Sequence, residues 1–136
     1  MILGVGIDLL KLKRIEDIYS KFQDKALEKI LSYEEINFLK NNKKYSNKIE
    51  NFLAKRFSAK ESFLKALGIG MGRGIDLIDI SVINDSLGKP EIFLSKKAVD
   101  FIEKKYNVKI NNVKINVSIS DDNCIINSIV IISLIQ

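Results

Sequence analysis

The sequence predicts an α+β fold, with helices mostly in the first half of the chain and antiparallel strands mostly in the second half. Two patterns predict it. Apolar residues recur at helical spacing between residues 11 and 67, and they alternate with polar residues between residues 109 and 120. A length of 136 residues predicts one domain, residues 1–136, around one hydrophobic core.

The chain opens with a predicted buried strand over residues 2–10. Gly4, Gly6 and Asp8 fall on one face of this strand because they are two residues apart. Glycine has no side chain, so another element can approach this face closely. We therefore expect Asp8 at the end of a surface against which a helix packs.

Helices are predicted to follow this strand. Residues 11–30 have helical spacing, in one or two pieces, and Ser32 and Glu35 form a capping box that begins a further helix. A polar break at residues 41–44 precedes a long helix over about residues 46–67. Gly68 is expected to end that helix in a left-handed conformation.

Strands dominate the rest of the chain. We predict a hairpin of strands 75–84 and 91–94, and then a helix that begins after Ser95 and ends near Asn107. Two further strands, residues 109–120 and 124–135, are expected to flank a turn at residues 121–123.

Composition excludes several kinds of chemistry. The chain has no histidine, which excludes imidazole bases and zinc–histidine sites, and its single cysteine excludes an intrachain disulfide framework. Cysteine usage and the absence of an apolar stretch long enough to span a membrane predict a cytoplasmic protein without membrane contacts. Catalysis would have to use carboxylates, lysines, hydroxyls, backbone dipoles or an oxygen-bound metal.

Positive charge is concentrated in one segment. The net charge is +5, and residues 11–65 hold 14 basic and 8 acidic residues. This excess favours an acidic partner, although a compositional bias towards lysine would give the same count. A nucleic-acid-binding module is a rival interpretation, but the chain lacks a basic stretch interleaved with aromatic residues.

The long helix carries the main candidate site residues. Glu61 lies on the same helical stripe as Leu53, Phe57 and Leu64, where a charged carboxylate is costly unless a cation compensates it. Together with Asp8 it forms a pair of carboxylates suited to Mg²⁺. The alternative is a partly exposed Glu61–Lys65 ion pair.

Basic residues recur along the same helix. Arg56, Lys60 and Lys65 follow one another about once per helical turn. This spacing allows all three to line an anionic substrate, but charged residues are also the norm on exposed helices, and spacing alone favours that ordinary alternative.

Four motifs in order resemble those of the holo-[acyl-carrier-protein] synthases, a family of phosphopantetheinyl transferases. The first is the stretch from Gly4 to Leu10 with Arg14 after it, and the second is Lys-Glu-Ser-Phe-Leu-Lys-Ala at residues 60–66. Gly-Lys-Pro at 88–90 and Val-Ser-Ile-Ser at 117–120 complete the set. The resemblance covers nearly the whole chain.

The resemblance implies an Mg²⁺-dependent transferase of fatty acid biosynthesis. Such an enzyme moves 4′-phosphopantetheine from coenzyme A to a serine of apo-acyl carrier protein and releases adenosine 3′,5′-bisphosphate. Family members form homotrimers with sites between subunits. Matched motif positions imply the following roles: metal binding by Asp8 and Glu61, with both taking part in catalysis; phosphate binding and catalysis by Lys65; nucleotide binding by Arg56, Lys89 and Pro90; and carrier binding by Arg14.

Two further basic residues of the first half, Lys21 and Lys25, are expected to steer an acidic carrier protein, or else to form an ordinary solvated helix face. The acceptor of the serine proton stays open between Glu61, a metal-bound water and a nearby aspartate.

One departure from the family pattern raises a second rival function. Asp121 stands where the family usually has a histidine, at a position expected to lie near coenzyme A. A carboxylate there would repel phosphate unless it faces a cation or points away; a plain turn residue is an equal alternative. The second rival is therefore a relative that binds coenzyme A or the carrier protein without turnover.

Overall fold

A computed structural model of the protein describes residues 1–135. Its helices are α1 (Leu12–Phe22), α2 (Asp24–Ile30), α3 (Tyr33–Lys40), α4 (Lys43–Ser46), α5 (Ile49–Leu67) and α6 (Lys96–Tyr106). Its strands are β1 (Ile2–Lys11), β2 (Ile80–Asn84), β3 (Pro90–Leu94), β4 (Val113–Asp122) and β5 (Ile125–Leu134). The predicted α+β class is confirmed. None of the helices in residues 1–135 is both long enough and apolar enough to cross a membrane.

The strands form two antiparallel sheets. One has three strands in the order β1-β5-β4, and the other is the β2–β3 hairpin. In the larger sheet Asp8 lies opposite Ser128, and Ser128 lies opposite Ile119 on the far side of β5. The first and last strands of the chain are thus neighbours, and β5 occupies the centre.

Helix α5 packs across the larger sheet and forms the middle of the core. Thirteen of its residues are buried, among them Leu53, Phe63 and Leu64. It ends where predicted, because Gly68 adopts a left-handed conformation with φ 71° and its backbone N–H bonds to carbonyls of the last turn.

Two glycines of β1 allow α5 to approach the sheet. A β-carbon at Gly4 would lie 1.9 Å from the carbonyl oxygen of Ala66, and one at Gly6 would lie 1.8 Å from that of Ser62. Two strand residues advance about 6.7 Å and four helix residues about 6 Å, so the two elements stay in step. Asp8, two residues further along β1, therefore meets Ser58, one turn earlier on α5.

Local capping signals were predicted correctly. The side chain of Ser32 accepts a hydrogen bond from the backbone of Glu35, whose carboxylate accepts one from the backbone N–H of Ser32. The 11–30 segment forms two helices, broken at Gln23, which has a positive φ of 50°. Ser95 caps α6, and Asn107 ends it in the left-handed region.

Several predicted boundaries were wrong, among them the start of the strand predicted over 109–120, which begins only at Val113 after a 3₁₀ turn. The strand predicted over 75–84 begins only at Ile80, because Asp76 and Asp79 cap a short 3₁₀ turn before it. Part of the predicted polar break forms α4. The turn after β4 is shorter than predicted, since β4 continues through Asp122 and the positive φ belongs to Asn123.

The prediction that β1 is a buried strand holds for only one of its faces in the single chain. Val5, Ile7 and Leu9 are more than half exposed, and Ile125 and Ile129 of β5 extend the same apolar surface. These side chains point away from α5, because neighbouring residues of a strand face opposite sides. The larger sheet is covered on one face only.

Candidate active site

Asp8 lies on β1, and its side chain contacts two residues of α5. Its Oδ2 accepts a hydrogen bond of 2.9 Å from the hydroxyl of Ser58, and its Oδ1 lies 3.3 Å from the ammonium of Lys65. Lys65 also donates to the carbonyl oxygen of Ile7 at 3.0 Å. Lys65 thus forms an ion pair with Asp8. The alternative from the sequence was an ion pair between Lys65 and Glu61.

Glu61 lies half-buried beside this pair. Burial raises the pKa of its carboxyl group, and the negative charge of Asp8 raises it further, while Lys65 and Arg14 oppose the shift. Its Oε1 is buried and has no hydrogen-bond partner among residues 1–135. The structure therefore brings Asp8, Glu61 and Lys65 together, although Asp8 is far from the other two in sequence.

The two carboxylates suit a hard divalent cation whose remaining ligands come from a substrate and from water. Residues 1–135 hold no group of three or more His, Cys, Asp or Glu side chains arranged to bind a metal. Mg²⁺, however, usually takes one or two protein carboxylates together with substrate phosphates and water. The unpartnered oxygen of Glu61 and the adjacent Asp8 fit that donor set, and Lys65 supplies positive charge next to it.

Three buried serines support Asp8. Ser58 and Ser62 of α5 and Ser128 of β5 are at most 1% exposed. The hydroxyl of Ser128 lies between the other two, 2.7 Å from that of Ser58 and 2.6 Å from that of Ser62. The sequence motifs did not predict this cluster. Ser58 and Ser62 are four residues apart on one helical face, a usable signal, but Ser128 is placed only by the register of β5.

Arg56 is buried among aromatic rings. Its guanidinium lies 4.0 Å from the ring centre of Phe52 and 5.8 Å from that of Tyr45. Its Nε donates to the carbonyl oxygen of Val82 at 3.1 Å, and another nitrogen donates to the side chain of Asn84. These contacts fix Arg56 at the wall of a cavity.

That cavity has a volume of about 420 Å³ and is open and basic. Its lining combines basic, aromatic and amide side chains: Lys44, Tyr45, Lys48, Asn51, Phe52, Lys55, Arg56, Asn84, Gly88 and Asp121. Cationic groups beside ring faces suit an anionic ligand that carries a flat base.

Asp121 lies at this cavity, where it faces a lysine. Its Oδ1 lies 3.3 Å from the ammonium of Lys55, and both side chains are about one third exposed. Asp121 belongs to β4 and is not a plain turn residue. It faces the basic cavity, and Lys55 offsets its charge.

Lys60 does not line a substrate, contrary to the prediction from helical spacing. It is fully buried, and its ammonium pairs with Glu35 of α3 and donates to the carbonyl oxygen of Ile30. Burial lowers the pKa of Lys60, an effect that Glu35 opposes. Glu35 also accepts from the backbone N–H of Val82, so this ion pair joins α3, α5 and β2.

Lys89 and Pro90 line a different depression from Arg56. It has a volume of about 280 Å³ and lies between β3 and β4. The two depressions are neighbours, because Gly88 lines the Arg56 cavity and its carbonyl oxygen accepts from Asn84.

The predicted carrier-binding residues are all exposed on the first two helices. Arg14 lies 5.6 Å from the ring centre of Phe57, and its charge acts on Glu61. Lys21 lies on α1, and Lys25 borders a mainly apolar cavity of about 410 Å³ between α1 and α2. Of these three residues, Arg14 is the one whose charge acts on a proposed metal ligand.

Comparison with known proteins identifies the class. Residues 4–118 match the model of the 4′-phosphopantetheinyl transferase superfamily. A holo-[acyl-carrier-protein] synthase of Ehrlichia ruminantium is 40% identical over 125 residues, which cover 90% of this chain and 89% of the relative. The chain therefore belongs to the 4′-phosphopantetheinyl transferase superfamily and, within it, to the holo-[acyl-carrier-protein] synthases.

Solved structures agree. The holo-[acyl-carrier-protein] synthase of Neisseria meningitidis aligns with a TM-score of 0.85 and 32% identity over 98% of this chain and 99% of that one. The Helicobacter pylori synthase, solved in complex with coenzyme A, aligns with a TM-score of 0.74 and 30% identity over 95% of this chain and 99% of that one. The resemblance found in the sequence motifs is confirmed.

Proposed function

We propose that the protein transfers the 4′-phosphopantetheine group of coenzyme A to a serine of an apo-acyl carrier protein. Adenosine 3′,5′-bisphosphate is the second product. The observation that carries this proposal is the pair of converging carboxylates, Asp8 and Glu61, with Lys65 beside them in a member of this family. The names of the relatives and the coenzyme A complex of one of them support the choice of substrates.

Asp8 and Glu61 would hold Mg²⁺ against the pyrophosphate of coenzyme A. When bound, Mg²⁺ supplies charge neutralisation for the phosphate oxygens, the main requirement of phosphoryl transfer. Lys65 contributes a second positive charge, since it already contacts Asp8 at the edge of the pair. The partner-free Oε1 of Glu61 would face the ion, and its other carboxylate oxygen would be left to accept a hydrogen bond from a water or from the attacking serine. With no histidine in the chain, the serine proton would go to Glu61, to a metal-bound water or to a nearby aspartate.

The basic cavity would bind the nucleotide. Lys55 would provide positive charge for phosphate, with the buried Arg56 adding charge from behind the cavity wall, and the half-buried Tyr45 would provide a ring face for the base. Lys89 and Pro90 extend this surface from the neighbouring depression. Asp121 restrains Lys55 and so tunes how strongly this cavity attracts phosphate.

The first two helices would bind the carrier protein. Arg14, Lys21 and Lys25 are exposed cations that increase the rate of encounter with an acidic partner. The apolar cavity bordered by Lys25 gives such a partner a surface to bury. Arg14, next to Phe57, would bring the carrier serine towards Glu61.

The active assembly would be a homotrimer with sites between subunits. The outer face of β1 and β5 exposes Val5, Ile7, Leu9, Ile125 and Ile129, an apolar surface of the kind that marks protein contacts. Sedimentation equilibrium would give three times the chain mass. Ile7→Asp would reduce that mass, because an unpaired charge would be buried in the contact.

A specific experiment separates this function from its rivals. The protein is mixed with coenzyme A, Mg²⁺ and apo-carrier protein, and the carrier is weighed by mass spectrometry. A gain of one phosphopantetheine supports the synthase, and Asp8→Ala and Glu61→Ala remove that gain while the circular dichroism of the folded protein persists. Binding of coenzyme A without modification of the carrier would support the non-catalytic relative that Asp121 suggested. Affinity for nucleic acid that falls steeply with salt would support the nucleic-acid module.

A further inference from the structure

The three serines beneath Asp8 form a continuous hydrogen-bonded chain. Ser58 donates to Asp8 Oδ2 at 2.9 Å, the Oγ atoms of Ser58 and Ser128 are 2.7 Å apart, and those of Ser128 and Ser62 are 2.6 Å apart. The Ser62 hydroxyl also donates to the carbonyl oxygen of Ser128 at 3.1 Å. The chain runs from the interior to one oxygen of the proposed metal ligand.

The number of hydrogens that each group can donate determines the direction of these hydrogen bonds. A hydroxyl has one hydrogen to donate, and an ionised carboxylate has none. Ser58 uses its hydrogen on Asp8, so its contact with Ser128 requires Ser128 to donate. Ser128 has then used its own hydrogen, so the single hydrogen of Ser62 is shared between Ser128 Oγ at 2.6 Å and the Ser128 carbonyl oxygen at 3.1 Å. The O–H groups of Ser58 and Ser128 point towards Asp8, and Ser62 donates to Ser128 from the inner end of the series.

We propose that this Ser62→Ser128→Ser58 chain positions Asp8 as a metal ligand. The inference rests on the proposed Mg²⁺ site and deepens it. Aligned hydroxyls polarise one another, so the three serines hold the Oδ2 of Asp8 more firmly than one hydrogen bond would. It fixes Oδ2 from the interior and leaves Oδ1 on the side of Lys65. The serines are positioning residues, because they act through Asp8.

Packing alone does not account for the serines. Ser58 and Ser62 are fully buried on α5, where alanine is the better helix former and buries no polar atom. A hydroxyl at such a position needs a partner, and the terminal partner here is the Asp8 carboxylate. Outer-sphere partners of this kind fix the orientation of a metal ligand and raise metal affinity.

Mn²⁺ affinity tests the inference directly. Mn²⁺ binding to the full-length protein with coenzyme A present and carrier absent is followed by electron paramagnetic resonance. Ser58→Ala should weaken Mn²⁺ binding by about tenfold, and Ser128→Ala and Ser62→Ala should weaken it progressively less. Ser81→Ala is the matched control, since Ser81 is also buried but bonds to Ser32, and it should leave the affinity unchanged.

A second pair of variants separates the effect of the Ser58 hydroxyl from the effect of side-chain volume. Ser58→Thr and Ser58→Val add nearly the same bulk, but only threonine keeps the hydroxyl. Threonine should bind Mn²⁺ more tightly than valine, and the Mg²⁺ concentration for half-maximal turnover should follow the same order. A purely structural role would change thermal stability without changing that concentration.

Two results would overturn the inference in distinguishable ways. If Ser58→Ala and Ser128→Ala bind Mn²⁺ as Ser81→Ala does, while Asp8→Ala does not bind it, the serines have no positioning role and the metal site stands. If Asp8→Ala binds Mn²⁺ like the unaltered protein, the proposed metal site itself is wrong, and the serine inference falls with it.

Discussion

Gly6 and Ser62 approach so closely that a β-carbon on the glycine would lie 1.8 Å from the carbonyl oxygen of the serine. This contact sets the distance between β1 and α5. Asp8 is two residues beyond Gly6, and Glu61 is the neighbour of Ser62 in sequence. The spacing of the two proposed metal ligands therefore depends on a position that lacks a side chain.

Gly6→Ala tests this dependence. The methyl group would meet helix backbone, which does not yield easily, so we expect a loss of about 3 kcal/mol or more in the free energy of unfolding. Gly70→Ala is the control, because its nearest contact would be 3.9 Å away at a flexible part of Arg73. Urea denaturation measures both. Equal stability of the two variants would contradict the close-approach account.

Glu61→Gln tests the electrostatics of the site in the metal-free protein. Burial and Asp8 raise the pKa of Glu61, so the folded state holds this proton more tightly than the unfolded chain does. The stability from this group is fully present below the ordinary glutamate pKa and is lost as the pH rises through the raised folded value. We therefore expect Glu61→Gln to be more stable than the unaltered protein at neutral pH.

The stability difference between Glu61→Gln and the unaltered protein should shrink as the pH is lowered through the raised pKa. Urea denaturation with a chelator present, between about pH 5 and pH 8, measures it, given that a glutamate ordinarily titrates near about 4.3. A difference that is absent, or that grows towards low pH, would contradict the assigned environment of Glu61.

Lys60→Met tests the buried ion pair with Glu35. Removal of the lysine leaves a fully buried carboxylate without its cation, so we expect a loss of about 3–5 kcal/mol in unfolding free energy. Lys104→Met, at an exposed helical lysine, should change stability by less than about 0.5 kcal/mol. The double variant Lys60→Met with Glu35→Gln should recover part of the loss. A single variant as stable as the control would be inconsistent with a structural role for Lys60.

Asp121→Asn tests the proposed tuning of the nucleotide cavity. The change removes a negative charge and releases Lys55, whose ion pair is partly exposed, so coenzyme A should bind up to about fivefold more tightly. Calorimetric titration with coenzyme A measures the effect. Asp122→Asn, one residue further along β4, is the matched control and should have no effect. Weaker binding by Asp121→Asn would mean that the carboxylate itself contacts the ligand.

The sequence predicted those features of the fold that depend on neighbouring residues. The Ser32–Glu35 capping box and the left-handed end of α5 at Gly68 are local, and both form as predicted. The convergence of Asp8 with Glu61 was also within reach, because Gly4 and Gly6 indicated which face of β1 a helix would meet.

The sequence could not predict features that depend on which element packs against a given face of a helix. Helical spacing placed Arg56, Lys60 and Lys65 in one substrate-lining series, yet Lys60 points into the core because Glu35 of α3 is buried opposite it. Ser128 joins the site only through the register of β5 against β1. Helical periodicity predicts the face of the helix on which a residue lies, but it does not predict which element packs against that face.

The most direct measurement is a crystal structure of the protein with coenzyme A and Mn²⁺, in which anomalous scattering locates the ion. We expect one ion bound by carboxylate oxygens of both Asp8 and Glu61 and by a pyrophosphate oxygen, at about the 2.0–2.1 Å typical of Mg²⁺ or slightly longer. An ion held elsewhere, or coenzyme A bound with Asp8 and Glu61 too far apart to share one, would contradict the proposed mechanism.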